Sequence, residues 1–443
     1  MNTGLLVRNG TILTTDLEGV RGPILGDDAS ALPDGVTVLR VPEDATVLPG
    51  FFDLHAHYAV DLFGAGRVDE TVVNPVVFLA NGVTSTFPAG EVDPPAFDDA
   101  ARAIASGDRP GPRIHRSGPY FGTARPGWDR QAMTPDSIRK EVRHWALRGV
   151  RGFKAKGITH PQLEALVSEA HRMGIPVTAH LDSGFRDSVN PQEAIALGID
   201  RVEHFLGGES LPGTRSAYAS LESLDLRDSL TLERVVRQVE RFVDHGVYFD
   251  ATLTAYDYFA GKDPEVYGYF ADEMALLTPW ARVQVESRLP RQPLAQFGRI
   301  YRVKHETVRV FVEHGGADWL TVGTDHPSWG EYFSGFAIHR EMHALSRAGV
   351  PNHVVLRAAT VNAARALNLS DKLGSLEPGK WGDLVVVQGD PLTDITATRR
   401  ILHVVKAGKV HEPTTLLAEV HGRLGPTGPD EADWWKGNLR LGR

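Results

Sequence analysis

The stretch "VLPGFFDLHAH" (residues 47–57) ends an apolar run in two histidines one residue apart. In a β-strand the side chains of residues i and i+2 share a face, so His55 and His57 would present two imidazoles side by side, at a separation that suits one metal ion. A chain with 18 histidines yields such a pair about once by accident. The reading therefore depends on what else the chain delivers to the same place.

Outward from this stretch the sequence repeats one unit: a short apolar strand, a loop with Gly or polar residues, and a helical segment ending near Gly. Strands are predicted near 46–56, 83–88, 113–121, 151–156, 176–181, 201–205, 247–253 and 319–325. Strands alternating with helices imply parallel βαβ units, and eight of them are what an α/β (β/α)8 TIM barrel needs. The helices are punctuated. In "TPDSIRKEVRHWALRG" Thr134 is placed as N-cap before Pro135, with Gly149 just past the end; in the next unit Thr159 or His160 precedes Pro161, and Gly174 closes the helix.

The flanks read differently. Residues 3–45 and 374–412 carry strand-and-turn patterns with Asn-Gly, Pro-Gly-Lys and Ala-Gly-Lys turns, and are expected to pair into a small β-sandwich domain built from both chain ends. The resulting division is a composite β-domain from 1–48 and 370–415, a barrel over 49–369, and a tail over 416–443 whose Trp434 and Trp435 are expected to dock on the protein or on a second copy. Two stretches, 206–230 and 254–300, fit no barrel unit; both follow strand C-termini, where barrel enzymes build lids and substrate walls.

Composition narrows the function. The chain has 42% hydrophobic and 23% charged residues, as ordinary globular proteins do. Its formal charge of -9 and the lack of any Lys/Arg run exclude nucleic acid as the main partner and leave a small-molecule substrate. No cysteine is present, so a metal has to be held by His, Asp, Glu or a modified Lys. No signal-peptide pattern and no membrane-length apolar run occurs, so a cytoplasmic protein that does not engage membranes is expected, acting as a homo-oligomer.

The strand ends supply the missing ligands. Strand 1 ends in His55 and His57, strand 4 in Lys154 and Lys156 ("GFKAKG"), strand 5 in His180 ("VTAH"), strand 6 in His204 ("RVEH") and strand 8 in Asp325 ("TVGTDH"). Catalytic residues of a TIM barrel collect at this C-terminal face from several strands. An unpaired lysine is costly at the end of a buried strand, where burial favours its neutral amine. Such an amine can react with carbon dioxide to give a carbamate whose two oxygens bridge two cations; the competing reading is an ion pair with a neighbouring carboxylate. Lys154 and Lys156 share a strand face, so spacing does not choose between them.

Taken together, "VLPGFFDLHAH", "TAHL", "VEH", "GTDH" and the closing "GSLEPGKWGDLVVVQGDPL" resemble the amidohydrolase superfamily over nearly the whole chain. The segment "GFKAKGITHPQLEALVSEAHRMGIPVTAHL" is similar to its imidazolonepropionase-related and prolidase-like branch, and favours Lys154 as the carboxylated lysine. The resemblance implies two divalent metals, Zn2+ or else Mn, Co or Fe, with His55, His57 and Asp325 on one, His180 and His204 on the other, and N6-carboxylated Lys154 between them. Asp325 and Lys154 would be catalytic, activating water to hydrolyse an amide of a cyclic amide, an N-acyl amino acid or a dipeptide. The Gly-Gly-His element expected after strand 3 is replaced by "SGPYFGTARPGWDR", so Tyr120, Arg125 and Trp128 are candidates for substrate contact, joined by Tyr256 and His326. Carbamate, urea, lactone or phosphoester hydrolysis, a mononuclear deaminase and a catalytically silent scaffold are the alternatives.

Overall fold

The computed structural model describes residues 5–8, 11–13, 19–21, 37–60, 68–125, 127–181, 189–208, 217–261, 263–267, 273–287, 294–326, 334–377, 379–429 and 431. Eight parallel strands carry the site: β1 (Phe51–Ala56), β2 (Val83–Pro88), β3 (Arg113–Ile114), β4 (Phe153–Lys156), β5 (Val177–His180), β6 (Arg201–Glu203), β7 (Tyr248–Asp250) and β8 (Leu320–Thr321). They pair as a three-stranded sheet, β3-β2-β1, and a five-stranded sheet, β4-β5-β6-β7-β8. Backbone hydrogen bonds continue past both sheets. Leu54 N–H donates to the Val322 carbonyl at 3.0 Å and Asp325 N–H to the His55 carbonyl at 2.9 Å; Phe121 N–H reaches the Lys154 carbonyl at 2.9 Å, and Lys156 N–H returns to Phe121 at 3.0 Å. The strands are buried on both faces, β1 and β2 at every residue, as parallel strands flanked by helices require.

The run predicted as one strand over 46–56 is two. Ala45–Pro49 belongs to a six-stranded sheet with Leu384–Gln388, Ile401–Lys406, Lys409–His411, Thr11–Leu13 and Gly19–Arg21, so strands from both chain ends do pair. Leu5–Arg8 forms a separate parallel pair with Thr37–Arg40. Gly50 is the crossing point between the six-stranded sheet and β1: its N–H goes to Asp383, while the next N–H, that of Phe51, goes to Gly82.

Of the other predicted strands, 83–88 keeps its expected bounds and six are shorter, three of them for a clear local reason. The third stops at Ile114 because Gly118 turns left-handed and Pro119 has no N–H to donate; pairing resumes only as single bridges, Glu91 to Pro119 and Phe121 to Ala155. The sixth stops at Glu203 because His204 has φ 68, and the eighth stops before Asp325, φ 53, because the Thr324 N–H is taken by the Asp53 carboxylate. Both anticipated helices begin as the punctuation implied, at Pro135 behind Thr134 and at His160 behind Thr159.

The stretch 254–300 holds the helices Leu253–Ala260, Pro264–Tyr267 and Pro279–Glu286 and the start of the long helix Ala295–Glu313, which buries Ile300, Lys304, Val308 and Phe311. In 206–230, the described part includes the helix Ala217–Glu222. The C-terminal segment from 416 is not wholly a tail: Leu416, Val420 and Leu424 share a buried cluster with Val76, Val77 and Leu79, and Thr278 N–H donates to Leu424 at 2.9 Å. Trp434 and Trp435 lie outside the described residues. No described helix is long and apolar enough to cross a membrane.

Two predictions follow from the packing. A Cβ on Gly50 would lie 2.1 Å from Thr84 Oγ1 and 2.8 Å from its Cβ, on a stiff β-branched side chain. Gly50→Ala should therefore cost about 1–3 kcal/mol of stability, read as a lowered urea midpoint at unchanged slope; an unchanged midpoint would refute this crossing. Second, burial pushes His115, stacked on Phe52, and His339, edge-on to Phe51, each down to about 3. Between about pH 6.5 and about 3 the unfolded chain binds protons that the folded chain refuses, so stability is full above pH 6.5 and is lost as pH falls. Each contributes up to about 1.4 kcal/mol per pH unit there, and His115→Gln should flatten the slope of urea stability between pH 7 and pH 5.

Candidate metal centre

At the C-terminal ends of β1, β5 and β6 four imidazoles form a continuous chain. Ring centroids lie 5.2 Å apart for His57 and His55, 5.0 Å for His55 and His204, and 4.3 Å for His204 and His180. All four rings are buried. Asp325 closes one end, with Oδ1 at 2.9 Å from His57 Nε2 and 3.3 Å from His55 Nε2.

Desolvation holds His55, His180 and His204 well below the usual imidazole range, and nearby lysine charge adds to this, from Lys154 at His55 and from Lys156 and Lys154 at His180. These rings are thus neutral, the state in which a ring nitrogen can ligate.

The lysines separate. Lys154 is fully buried and ion-paired with Glu203, while Lys156 is partly exposed. The ion pair anticipated as the competing reading is therefore present in the unmodified chain. Burial also holds the Lys154 amine well below the usual lysine range, with the Lys156 charge adding to the effect.

Glu203 was not singled out from the sequence, although the Glu of "VEH" was in view. Its Oε2 lies 3.4 Å from His55 Nδ1 and 3.8 Å from His204 Nε2. Among the described residues, two overlapping sets of donor atoms are close enough to hold a cation: His55, His57 and Asp325, and His55, Glu203 and His204. His55 Nδ1 and His204 Nε2 are buried without a hydrogen-bond partner among the described residues. Nitrogen and oxygen donors with bare lone pairs suit Zn2+ and its first-row neighbours.

Neighbouring groups fix the ligand orientations. Asp53, also missed, accepts from His55 N–H at 3.1 Å, Thr324 N–H at 3.1 Å and Thr324 Oγ1 at 2.8 Å, tying β1 to the segment that carries Asp325. Thr252 Oγ1 lies 2.6 Å from His204 Nδ1 and donates its own proton to the Ala251 carbonyl at 2.8 Å. With that single hydroxyl proton committed, His204 has to donate from Nδ1, which leaves the Nε2 lone pair facing the centre. No sequence pattern marks Thr252 for this.

The proposed substrate residues divide. Tyr256 is 6.0 Å from His204, centroid to centroid, and His326 follows Asp325 with Nε2 3.1 Å from Thr254 Oγ1. Tyr120 packs over Gly90. Arg125 is ion-paired with Glu141, and Trp128 packs on the main hydrophobic core; among the described residues neither forms a hydrogen bond, ion pair or ring contact with the histidines.

Comparison with known proteins places these residues in context. An amidohydrolase family profile matches residues 46–411. The solved structure of a Xaa-Pro dipeptidase with bound methionine in its active site superposes with a TM-score of 0.67 at 21% identity, covering 92% of this chain and 99% of that one. That of molinate hydrolase gives 0.65 at 20% identity, over 96% and 97%. At such identities these two likenesses concern the fold. A curated 5-methylthioadenosine/S-adenosylhomocysteine deaminase from Teredinibacter turnerae (strain ATCC 39867 / T7901) is 38% identical over 56 residues, and the match spans only 13% of this chain and 13% of that protein.

The Thr252 contact can be checked directly. Thr252→Val removes the acceptor for His204 Nδ1 without changing side-chain shape and should weaken zinc binding about ten- to a hundredfold in a chelator competition, while Thr252→Ser stays near the parent value. Equal affinities for all three proteins would show that the hydroxyl does not orient His204.

Proposed function

The chain belongs to the amidohydrolase family, and from that premise we propose that it is a metal-dependent hydrolase acting on a carbon–nitrogen bond of a small molecule, an amide in a cyclic amide, an N-acyl amino acid or a dipeptide. The observation that carries this reading is the chain of four buried imidazoles flanked by Asp325 and Lys154 at one end of the parallel strands. The eight strands are read as a closed (β/α)8 barrel over 49–369, with a composite β-domain from 1–48 and 370–415.

His55, His57 and Asp325 would hold one cation and His180 and His204 a second, with Lys154 as N6-carboxylysine between them. Burial lowers the proton affinity of the Lys154 amine and so favours its neutral form, the form that would add carbon dioxide: the nitrogen lone pair bonds to carbon and one proton leaves. Divalent cations such as Zn2+, Mn2+, Co2+ or Fe2+ would supply Lewis-acid polarisation of a carbonyl and a water acidified towards a pKa of about 7. Asp325 would accept a proton from the attacking water and return it to the departing nitrogen, so that the amine would leave neutral. Its side chain is 14% exposed, against 0% for Glu203, which gives the Asp325 carboxylate the proton exchange this role needs. Tyr256 and His326 are the residues assigned to substrate contact, on the bounds given by their positions beside His204 and Asp325.

A mononuclear deaminase is the second reading, favoured by the short local identity to the curated deaminase. Metal content and a substrate panel separate the two. Two equivalents of metal with hydrolysis of acyl-amino acids, dipeptides or cyclic amides support the bridged hydrolase; one equivalent with ammonia release supports the deaminase; no metal uptake overturns both. Within the bridged reading, Asp325→Asn should keep most of the metal and lower kcat about 10²- to 10⁴-fold, and full turnover by that variant would remove Asp325 from proton transfer.

A further inference from the structure

Lys304 lies on the long helix Ala295–Glu313, in a part of the chain that sequence patterns left outside the barrel units. It is 2% exposed, yet its Nζ donates to the backbone carbonyl of His204 at 2.5 Å. Its remaining partners among the described residues are aromatic faces: the ammonium sits 4.2 Å from the Tyr256 ring centroid and 5.1 Å from that of Phe205. Desolvation pushes the Lys304 amine down to about 7 against the opposing charges of Glu341 and Asp250, and no carboxylate among the described residues lies within ion-pair distance of it; a leucine or methionine would fill the same space at less cost. A lysine in this position calls for a task that needs a strong donor.

The backbone it grips identifies that task. His204 is a non-glycine residue in the left-handed region, φ 68, a conformation that persists only where the surroundings enforce it. Its N–H is held by the Asp250 carbonyl at 2.8 Å and its Nδ1 by Thr252 at 2.6 Å. The carbonyl is the third anchor, and Lys304 supplies a charge-assisted bond to it. With all three in place, the direction of Nε2 is fixed.

We propose that Lys304 is a positioning residue that locks the left-handed turn at His204 and so sets the aim of its ring nitrogen at the metal. The inference rests on the metal-centre reading above. It assigns to the helix Ala295–Glu313 a direct share in assembling that centre.

The test compares the full-length parent with Lys304→Met and Lys304→Gln, two side chains of nearly equal reach of which only the second donates a hydrogen bond. Each protein, freed of metal, is titrated with cobalt(II) in bicarbonate buffer, followed by bound-metal content and visible absorption, and the metal-free forms are melted in parallel. The parent should take up two equivalents. Lys304→Met should keep one and bind the other about ten- to a hundredfold more weakly, with an altered cobalt spectrum, and Lys304→Gln should recover much of that loss.

Parent-like binding by both variants overturns the proposal. So does equal weakening in Met and Gln, or a weakening of both equivalents that tracks a lowered metal-free melting point, since those outcomes assign Lys304 to packing. If the parent itself takes up no cobalt, the metal-centre reading fails first and the inference falls with it.

Discussion

One buried carboxylate joins the two ends of the parallel array. Asp53 accepts three hydrogen bonds, one from the backbone of His55 on its own strand and two from Thr324, immediately before Asp325. Desolvation pushes Asp53 up to about 6, and the bonds from Thr324 and His55 oppose that rise. Each donor left without its acceptor in this dry region would cost about 1–3 kcal/mol, so the first and eighth strands are held in one register. That register is what brings Asp325 to within 3.3 Å of both His55 and His57. Arg201 reinforces the same floor, donating to the Leu54 carbonyl at 2.8 Å and to Thr178 Oγ1 at 3.1 Å.

Above this floor the backbone departs from regular strand geometry where ligands are needed. Of the five described non-glycine residues with positive φ, three are His204, Thr252 and Asp325. A left-handed residue costs roughly 1–2 kcal/mol, so this concentration needs compensation. The bonds from Lys304 N–H to the His204 carbonyl, from His204 Nδ1 to Thr252, from Asp325 N–H to His55, and from Leu253 and Thr254 to the buried Glu341 provide it. Glu203 already faces His55, so a continuing strand would send the next side chain, that of His204, to the opposite face; the left-handed turn keeps it on the same side.

The parts legible in the sequence are those encoded locally. An apolar run with a ligand at its C-terminal end marks a strand and its site residue at once, so His55, His57, Lys154, His180, His204 and Asp325 could be gathered from six positions along the chain. Caps at Thr134 and Thr159 were readable because a cap is a contact within four residues. Gly50 was hidden because Ala45–Pro49 and Phe51–Ala56 are both apolar, and only the pairing partners tell the two strands apart. Thr252 and Lys304 were hidden for a stronger reason: they act on His204 from 48 and 100 residues away, through one hydroxyl and one ammonium that no periodicity distinguishes. Arg125, a candidate for substrate contact by its loop position, has an ion-pair partner in Glu141 that its own loop sequence does not reveal.

Charge balance links the lysine to the rest of the centre. In the unmodified chain Glu203 and Asp325 contribute two negative charges and a protonated Lys154 offsets one, while the four imidazoles contribute none when neutral. A single cation would nearly satisfy that arrangement, but a divalent ion beside an ammonium is electrostatically opposed at these separations. Converting the amine to a carbamate removes the positive charge and adds a negative one, bringing the set to three negative charges against four from two divalent ions. With both ions in place and the attacking water still neutral, one positive charge would remain, and it would favour an oxyanion over a neutral carbonyl. On this reading the burial that lowers the proton affinity of Lys154 and the burial that lowers that of His55, His180 and His204 are one device: both favour lone-pair donors in a place suited to metal ions.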